Sequence, residues 1–387
     1  MNRFIKLLAV TLTFVYGYSY SQELTNKKGS LLKFKVVKEV TATTVKNQQS
    51  SATCWCFSTN SLLESELMRM GKGSIDIAEM FTIRNMYLLK GKHYLRYMGK
   101  AKFGDGGEPH DVMAAIRDYG MLPQSAYNVV PGNNDRIATG EMESVLKGML
   151  DNMLALKDGK LSPVAFKAYS AALDAYLGAP PTEFEYNNKK YTPRTFADEM
   201  GIKPDDYIEI TSFTHHPFYS KFMLEVPDNW MNGMVYNVPL DELQKIADNA
   251  INNGFSMAWS SDVSEKGFSY KNGLAIVAET EFEKMTQDEK DSMFIKPITE
   301  KIITQQMRQD AFDNLSTQDD HGMHITGIAT DQAGKQYFIV KNSWGTEGND
   351  CNGYFYCSNA YFQFKTTAIM VHKSAIPADI AKKMGIR

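Results

Sequence analysis

The sequence predicts an α+β fold arranged as two lobes. Segments of helical period fill the first part of the chain. Short runs rich in aromatic and β-branched residues fill the last third, with turn residues between them. A chain of 387 residues that is 43% hydrophobic and 22% charged also has the apolar mass for a real core, which excludes a disordered, collagen-like or disulfide-stapled protein.

Residues 1–21 carry the three parts of a secretory leader: Arg3 and Lys6, an apolar run over 7–16, and Ser19-Tyr20-Ser21 as a small-residue cleavage site. The run is too short to span a bilayer, and no other run approaches the roughly 20 apolar residues a span needs. Cleavage after Ser21 would export a chain beginning at Gln22, to the periplasm or the medium, with no cysteine there to take a lipid and no membrane association in the mature form. Residues 31–45 alternate as an extended segment. Over 54–70 Cys56, Asn60, Leu63, Leu67 and Met70 stack on one helical face, which Gly71 and Gly73 end. Gly104-Asp105-Gly106-Gly107 is a tight turn, and a helix runs from Pro109 to Gly120. Further helices are expected over 142–156, over 164–177 after the Ser162-Pro163 cap, and over 239–253 before Gly254. Strands are expected over 255–259, 325–329, 337–341, 353–358 and 368–371, with turns at 331–334 and Asn352-Gly353.

The formal charge of −3 is far from the basic balance of a nucleic-acid binder. The four cysteines fall in two pairs. Cys54 and Cys56 are too close to bridge, whereas Cys351 and Cys357 flank the hairpin signal Asn352-Gly353 and could face each other in an oxidising compartment. Their connectivity stays open.

Cys54 opens the first helix, where the macrodipole lowers a thiol pKa and favours thiolate. A thiolate nucleophile needs a proton partner, an orienter for that partner and a donor for the developing oxyanion. Gln48 stands six residues before Cys54-Trp55; far downstream come Asp319-Asp320-His321 and then Asn342-Ser343-Trp344-Gly345 after a strand. This set resembles the papain-like cysteine peptidases, and within them the bleomycin hydrolase/aminopeptidase C branch. Gly104-Asp105-Gly106-Gly107, Trp259-Ser260-Ser261-Asp262-Val263, Gly353-Tyr354-Phe355 and the segment holding Ile376-Pro377 extend the resemblance over about 45–380. His321 follows Cys54 at roughly twice the ~130–150-residue separation of the papain and cathepsin enzymes, which implies large insertions.

The resemblance implies a papain-like peptidase domain over 22–387, with a helical lobe mainly over 50–210, an insertion over about 130–205, a β-barrel-like lobe mainly over 255–375 and a tail over 376–387. It implies hydrolysis of peptide bonds through an acyl-thioester on Cys54. His321 would exchange the proton, Asn342 would orient the imidazole, and Gln48 with the Cys54 backbone N–H would hold the oxyanion. Trp344 would shield the His–Asn hydrogen bond, and Gly106 and Gly107 would present backbone to an extended substrate. Peptides would be the substrates, no cofactor would be needed, and ring-shaped hexamers are implied. Two departures matter: Ala52-Thr53 replaces the family's usual residues before the nucleophile, and the segment after Pro377 is shorter than the family's arm, which raises an endopeptidase as the alternative. A silent peptide-binding scaffold is the other rival; it would be marked by a lost catalytic group, and all four are present.

Other conspicuous residues have plainer readings. Trp55, Phe57 and Cys56 are expected in the core, and Glu64 and Glu66 on an ordinary charged helix face. Asp319 and Asp320 are expected as solvated loop acids, with Asp320 able to bias His321 toward its charged form. His321 and His324, three apart on a strand, point to opposite faces, and no acid or cysteine completes a metal set around them, so no metal is expected. His215-His216-Pro217 reads as loop, His93 and His110 as surface, and Lys382-Lys383 as part of a frayed tail.

Overall fold

The computed structural model describes residues 24–133, 135–157 and 159–386; the leader expected at 1–21 lies outside them. The helices are α1 (Cys54–Arg69), α2 (Glu79–Arg96), α3 (Pro109–Tyr119), α4 (Gly140–Leu154), α5 (Pro163–Leu177), α6 (Pro193–Met200), α7 (Leu240–Asn252), α8 (Gln287–Ser292), α9 (Gln305–Asp313), α10 (Asn359–Lys365) and α11 (Ala378–Lys383). The strands are β1 (Phe34–Glu39), β2 (Phe184–Tyr186), β3 (Lys189–Tyr191), β4 (Tyr207–Thr211), β5 (Lys221–Met223), β6 (Met234–Asn237), β7 (Met257–Ser261), β8 (Phe268–Ser269), β9 (Leu274–Ala275), β10 (His321–Asp331), β11 (Gln336–Lys341), β12 (Tyr354–Ser358) and β13 (Thr366–His372). All but β2 and β3 join one mixed sheet in the order β5-β6-β4-β13-β7-β10-β11-β12-β9-β8, with β1 also pairing β10.

Two apolar cores flank α1 and the sheet. The larger gathers Leu62, Leu63 and Leu67 of α1 with α2, α3 and the α4–α5 pair. The second packs α7 and α10 on the sheet around Trp259, Phe338 and Phe362. Every residue of α1 from Trp55 to Leu67 is buried, so this helix is enclosed on all sides instead of showing one wet face. Each fully buried leucine contributes about 1.5–3 kcal/mol. Enclosure also changes the standing of Glu64 and Glu66, which are not surface charges as expected but are 0% and 1% exposed.

The helices begin and end where the punctuation places them: Pro109 opens α3, Gly120 (φ 84°) closes it, Pro163 opens α5, and Gly254 (φ 81°) follows α7. The 18-residue α2 was not anticipated. Apolar side chains surround it and Gly91 interrupts it, which blurs its period. A Cβ at Gly91 would lie 2.8 Å from the Tyr169 ring of α5, so this glycine is where two helices approach closely. Strands β4–β6 were also unforeseen and bring the β-rich lobe in from residue 207. The segment after Pro377 is not a frayed tail: α11 rests on α7, Lys383 Nζ lies 2.5 Å from Glu242 Oε1, and Ile380 and Met384 are buried.

The disulfide opportunity is not taken, and all four cysteines are free thiols. Asn352 (φ 53°) and Gly353 (φ 89°) do turn the chain, but the turn sets Cys351 off the sheet, its sulfur 3.1 Å from Asn26 O, while Cys357 lies buried in β12.

Candidate active site

The site is assembled where β10 crosses the N-terminal end of α1. A Cβ on Gly322 would lie 3.0 Å from Ser58 Oγ and 3.2 Å from the Trp55 backbone, so only glycine lets the strand lie this close to the helix. That contact brings the Gly322 N–H, one residue after His321, to the Cys54 sulfur. Cys54 is half-buried and His321 is buried.

Asn342, just past β11, takes the far side of the imidazole: His321 Nε2 is 2.7 Å from Asn342 Oδ1. Nε2–H is therefore the donor, and Nδ1 is the nitrogen left for proton exchange. Trp344 lies over the ring at 4.5 Å between centroids and 24° between planes, and Tyr270 meets Trp344 edge-on at 5.0 Å. The Trp344 indole thus covers one face of the His321 ring.

Gln48 is tied to the same segment. Gln48 N donates to Ser343 O (2.8 Å) and Gly345 N donates to Lys46 O (3.0 Å), so 46–48 and 343–345 run as a short ladder. Ser343 Oγ donates to Gln48 Oε1 at 2.5 Å, and Gln48 Nε2 donates to Ser51 O at 2.7 Å. Together these hold the side-chain amide with its nitrogen toward the loop before Cys54, leaving a second N–H for an oxyanion. The role of Ser343 was not foreseen; its place between Asn342 and Trp344 was the available hint.

The glycine turn is held by groups the sequence did not single out. Trp55 Nε1 donates to Asp105 O (2.8 Å), buried Lys90 Nζ donates to Gly104 O (2.7 Å) and Gly106 O (2.5 Å), and Asp105 accepts from the Tyr87 and Thr139 hydroxyls. A Cβ at Gly106 would strike the Asp228 carboxylate at 2.3 Å, and one at Gly107 would meet Asp111 at 2.4 Å and the Trp55 ring at 3.0 Å. Both glycines therefore have a packing reason, apart from any approach by substrate.

The electrostatics correct one expectation. Burial pushes the Cys54 thiol up to about 12, although the N–H groups of Gly322 and Trp55 act against it; the Asp319 and Asp228 charges add to the rise. Burial also pushes His321 down to about 4, with the Asn342 hydrogen bond opposing. Desolvation thus outweighs the helix dipole at Cys54 and opposes a charge on either group, where the sequence reading favoured thiolate. Asp320 does not bias His321, whose shift comes from burial and the Asn342 hydrogen bond; the Asp320 Oδ1 accepts from Val263 N at 2.8 Å. Asp319 is not a solvated loop acid. Burial pushes it up to about 6, and it hydrogen-bonds the carboxyl of Glu108, which burial holds well above the ordinary carboxylate range. His110, expected on the surface, is half-buried with Nδ1 2.7 Å from Glu209 Oε2. His324 and His321 do not share a centre: His324 Nδ1 lies 2.8 Å from Ser61 Oγ.

Residues 91–386 match the Peptidase C1-like family. The chain belongs to the Peptidase C1-like family. Among its C1-like relatives, aminopeptidase C of Streptococcus thermophilus is 24% identical over 387 residues, 88% of this chain and 83% of that one. Aminopeptidase C of Listeria monocytogenes is 24% identical over 388 residues with the same coverage. A solved structure, PepW from Lactobacillus rhamnosis, superposes with a TM-score of 0.70 at 20% identity, covering 91% of this chain and 84% of that one. The fold is thus the papain-like α+β fold that the motifs implied. Among the described residues, no helix is long and apolar enough to cross a membrane.

Proposed function

We propose that this C1-like chain is a cysteine aminopeptidase of the bleomycin hydrolase/aminopeptidase C type. The observation that supports the reading is a chain of contacts in a protein of this family: His321 bonds Asn342, Gln48 bonds Ser343 next to it, and the Gly322 N–H after His321 meets the Cys54 sulfur. The Cys54 sulfur attacks the scissile carbonyl as its proton passes to His321 Nδ1. The imidazolium, held through Nε2–H by Asn342 and covered by Trp344, protonates the leaving amine. The side-chain N–H of Gln48 and the Cys54 backbone N–H receive the oxyanion, and water then cleaves the thioester.

The acids around the thiol support an exopeptidase. Asp319 and Asp228 oppose ionisation of Cys54. A peptide's α-ammonium bound beside them offsets that field and lowers the thiol pKa when substrate arrives; each unit is a factor of about 10 in thiolate. The test compares one peptide with free and acetylated N-termini. A preference of at least about 10-fold in kcat/KM for the free amine is expected, whereas equal rates would replace the aminopeptidase by an endopeptidase.

The reading has two further parts. Export with cleavage after Ser21 rests on the leader pattern, and N-terminal sequencing of protein recovered outside the cytoplasm should begin at Gln22. The ring-shaped hexamer rests on the family resemblance, and light scattering that returned a monomer would remove it.

A further inference from the structure

Two groups of side chains among the described residues bring three ligand-type atoms within 4.8 Å of one another. The first, Glu64, Asp76 and Glu79, already holds a cation of the protein's own: Lys46 Nζ lies 2.9, 2.5 and 2.5 Å from the three carboxylates. The second joins His215, His216 and Glu225, and here the carboxylate is met by two imidazoles. His215 Nε2 is 3.1 Å from Glu225 Oε2, and His216 Nε2 is 3.2 Å from Glu225 Oε1. Ligand atoms on one tetrahedral zinc, bound at about 2.0–2.2 Å, stand roughly 3.3 Å apart. Each imidazole nitrogen stands close to that edge from its own carboxylate oxygen, and the three ligand-type atoms lie within 4.8 Å of one another.

The two rings are braced before any ligand arrives. His216 stacks on Phe222 (4.3 Å between centroids, 22° between planes), and His215 lies nearly parallel to Phe312 and edge-on to Phe222. Asn237 Nδ2 ties the loop backbone by donating to Phe213 O (2.8 Å) and His216 O (2.9 Å). The amide of Gln309, on α9, lies against the other nitrogen of His215, with Nε2 3.1 Å and Oε1 3.4 Å from Nδ1, and Oε1 also accepts from Thr214 N at 2.5 Å. A ligating histidine ordinarily donates its other ring N–H to an outer partner, and with Nε2 on a metal His215 Nδ1–H would donate to Gln309 Oε1. The side chains of His215, His216 and Glu225 are 27%, 35% and 48% exposed, so the cluster opens to solvent on one side and leaves a corner for water.

We propose that His215, His216 and Glu225 form a zinc site that clips the loop after β4 to the end of β5 and, through Gln309, to α9. Two imidazoles and one carboxylate with an open fourth position suit Zn²⁺; Ca²⁺ and Mg²⁺ take oxygen shells. The chain leaving α9 runs through 314–320 into His321, so the site braces the segment that delivers that histidine. Its effect is on stability, and it takes no part in the peptidase chemistry; the inference stands independently of that activity.

The experiment titrates Zn²⁺ by calorimetry into untagged full-length protein, stripped with a chelator and with its thiols blocked by iodoacetamide. One Zn²⁺ per chain and a raised Tm are expected. His216→Ala and Glu225→Gln should each weaken binding by about 100-fold or more, Gln309→Ala by about 10-fold, and His93→Ala not at all. Glu225→Gln keeps the side-chain volume, which guards against a folding failure in His216→Ala. Failure of the stripped protein to take up Zn²⁺, or unchanged binding in a folded His216→Ala or Glu225→Gln variant, would overturn the site.

Discussion

His321 and His324 stand three residues apart on β10, both buried, and burial keeps both neutral. Their surroundings separate them. His321 has one nitrogen on Asn342 and its face under Trp344, and the Gly322 N–H one residue on meets the Cys54 sulfur. His324 has Nδ1 on Ser61, which also receives Lys341 Nζ at 2.7 Å, and its Nε2 is buried without a hydrogen-bond partner. Behind it Lys46 joins Glu64 and Glu79 in an ionic cluster that fastens α1 and α2 to the N-terminal segment. One end of α1 thus holds a few groups free to exchange a proton, and the next two turns hold charges already matched. A neutral buried histidine becomes chemically available only where a reactive partner and a route for substrate adjoin it.

The largest effects should fall on the first end. Cys54→Ala and His321→Ala are each expected to lower kcat on a peptide amide by about 10⁴-fold or more, with circular dichroism unchanged. Retained turnover in pure Cys54→Ala protein would remove the mechanism. The second end should respond in stability instead. Lys46→Met leaves two buried carboxylates without their cation, and chemical denaturation should report a loss of about 3–5 kcal/mol. A loss under about 1 kcal/mol would reduce the cluster to the scale of surface ion pairs. His324→Ala is expected to cost about 1–3 kcal/mol through the polar groups it leaves unpaired, while kcat per folded molecule stays within a few-fold.

The pH profile sharpens the same contrast. His321 must be neutral to accept the Cys54 proton, and its pKa is held near 4. Activity should therefore persist from neutrality into mild acid and fall as pH drops through about 4. An acid limb at the ordinary histidine value of about 6.5 would show that the ring is more hydrated than its burial indicates.

What was legible in the sequence follows from which signals are local. The helix starts at Pro109 and Pro163 and the stops at Gly120 and Gly254 follow from backbone chemistry that neighbours do not override. Gln48, Cys54, His321 and Asn342 were legible through motif and order, and the structure links His321 to Asn342 and Gln48 to Ser343 beside it. The thiol's protonation state was not legible, because the dipole argument is local whereas desolvation depends on the closing of two lobes. The Glu108–Asp319 pair and the burial of Glu64 and Glu66 were missed for the same reason: charge reads as solvent exposure until the enclosing elements are known. Helix α2 was missed because its first half, residues 79–87, is buried all round and shows no amphipathic period.

The smallest expected effect concerns the tie between the oxyanion donor and the orienting segment. Ser343 Oγ donates to Gln48 Oε1, which fixes which end of the Gln48 amide faces the cleft. Without that donor the amide can rotate and present its oxygen to the developing oxyanion, where it repels instead of stabilising. A net hydrogen bond of about 0.5–1.5 kcal/mol governs the choice, which corresponds to a fall in kcat of roughly 2- to 12-fold in Ser343→Ala. KM should change little, because the oxyanion exists only beyond the ground state. Ser343→Thr keeps the hydroxyl and should recover most of the rate. If Ser343→Ala instead raised KM at constant kcat, Gln48 would be acting on bound substrate, and the oxyanion role would have to pass to the Cys54 backbone alone.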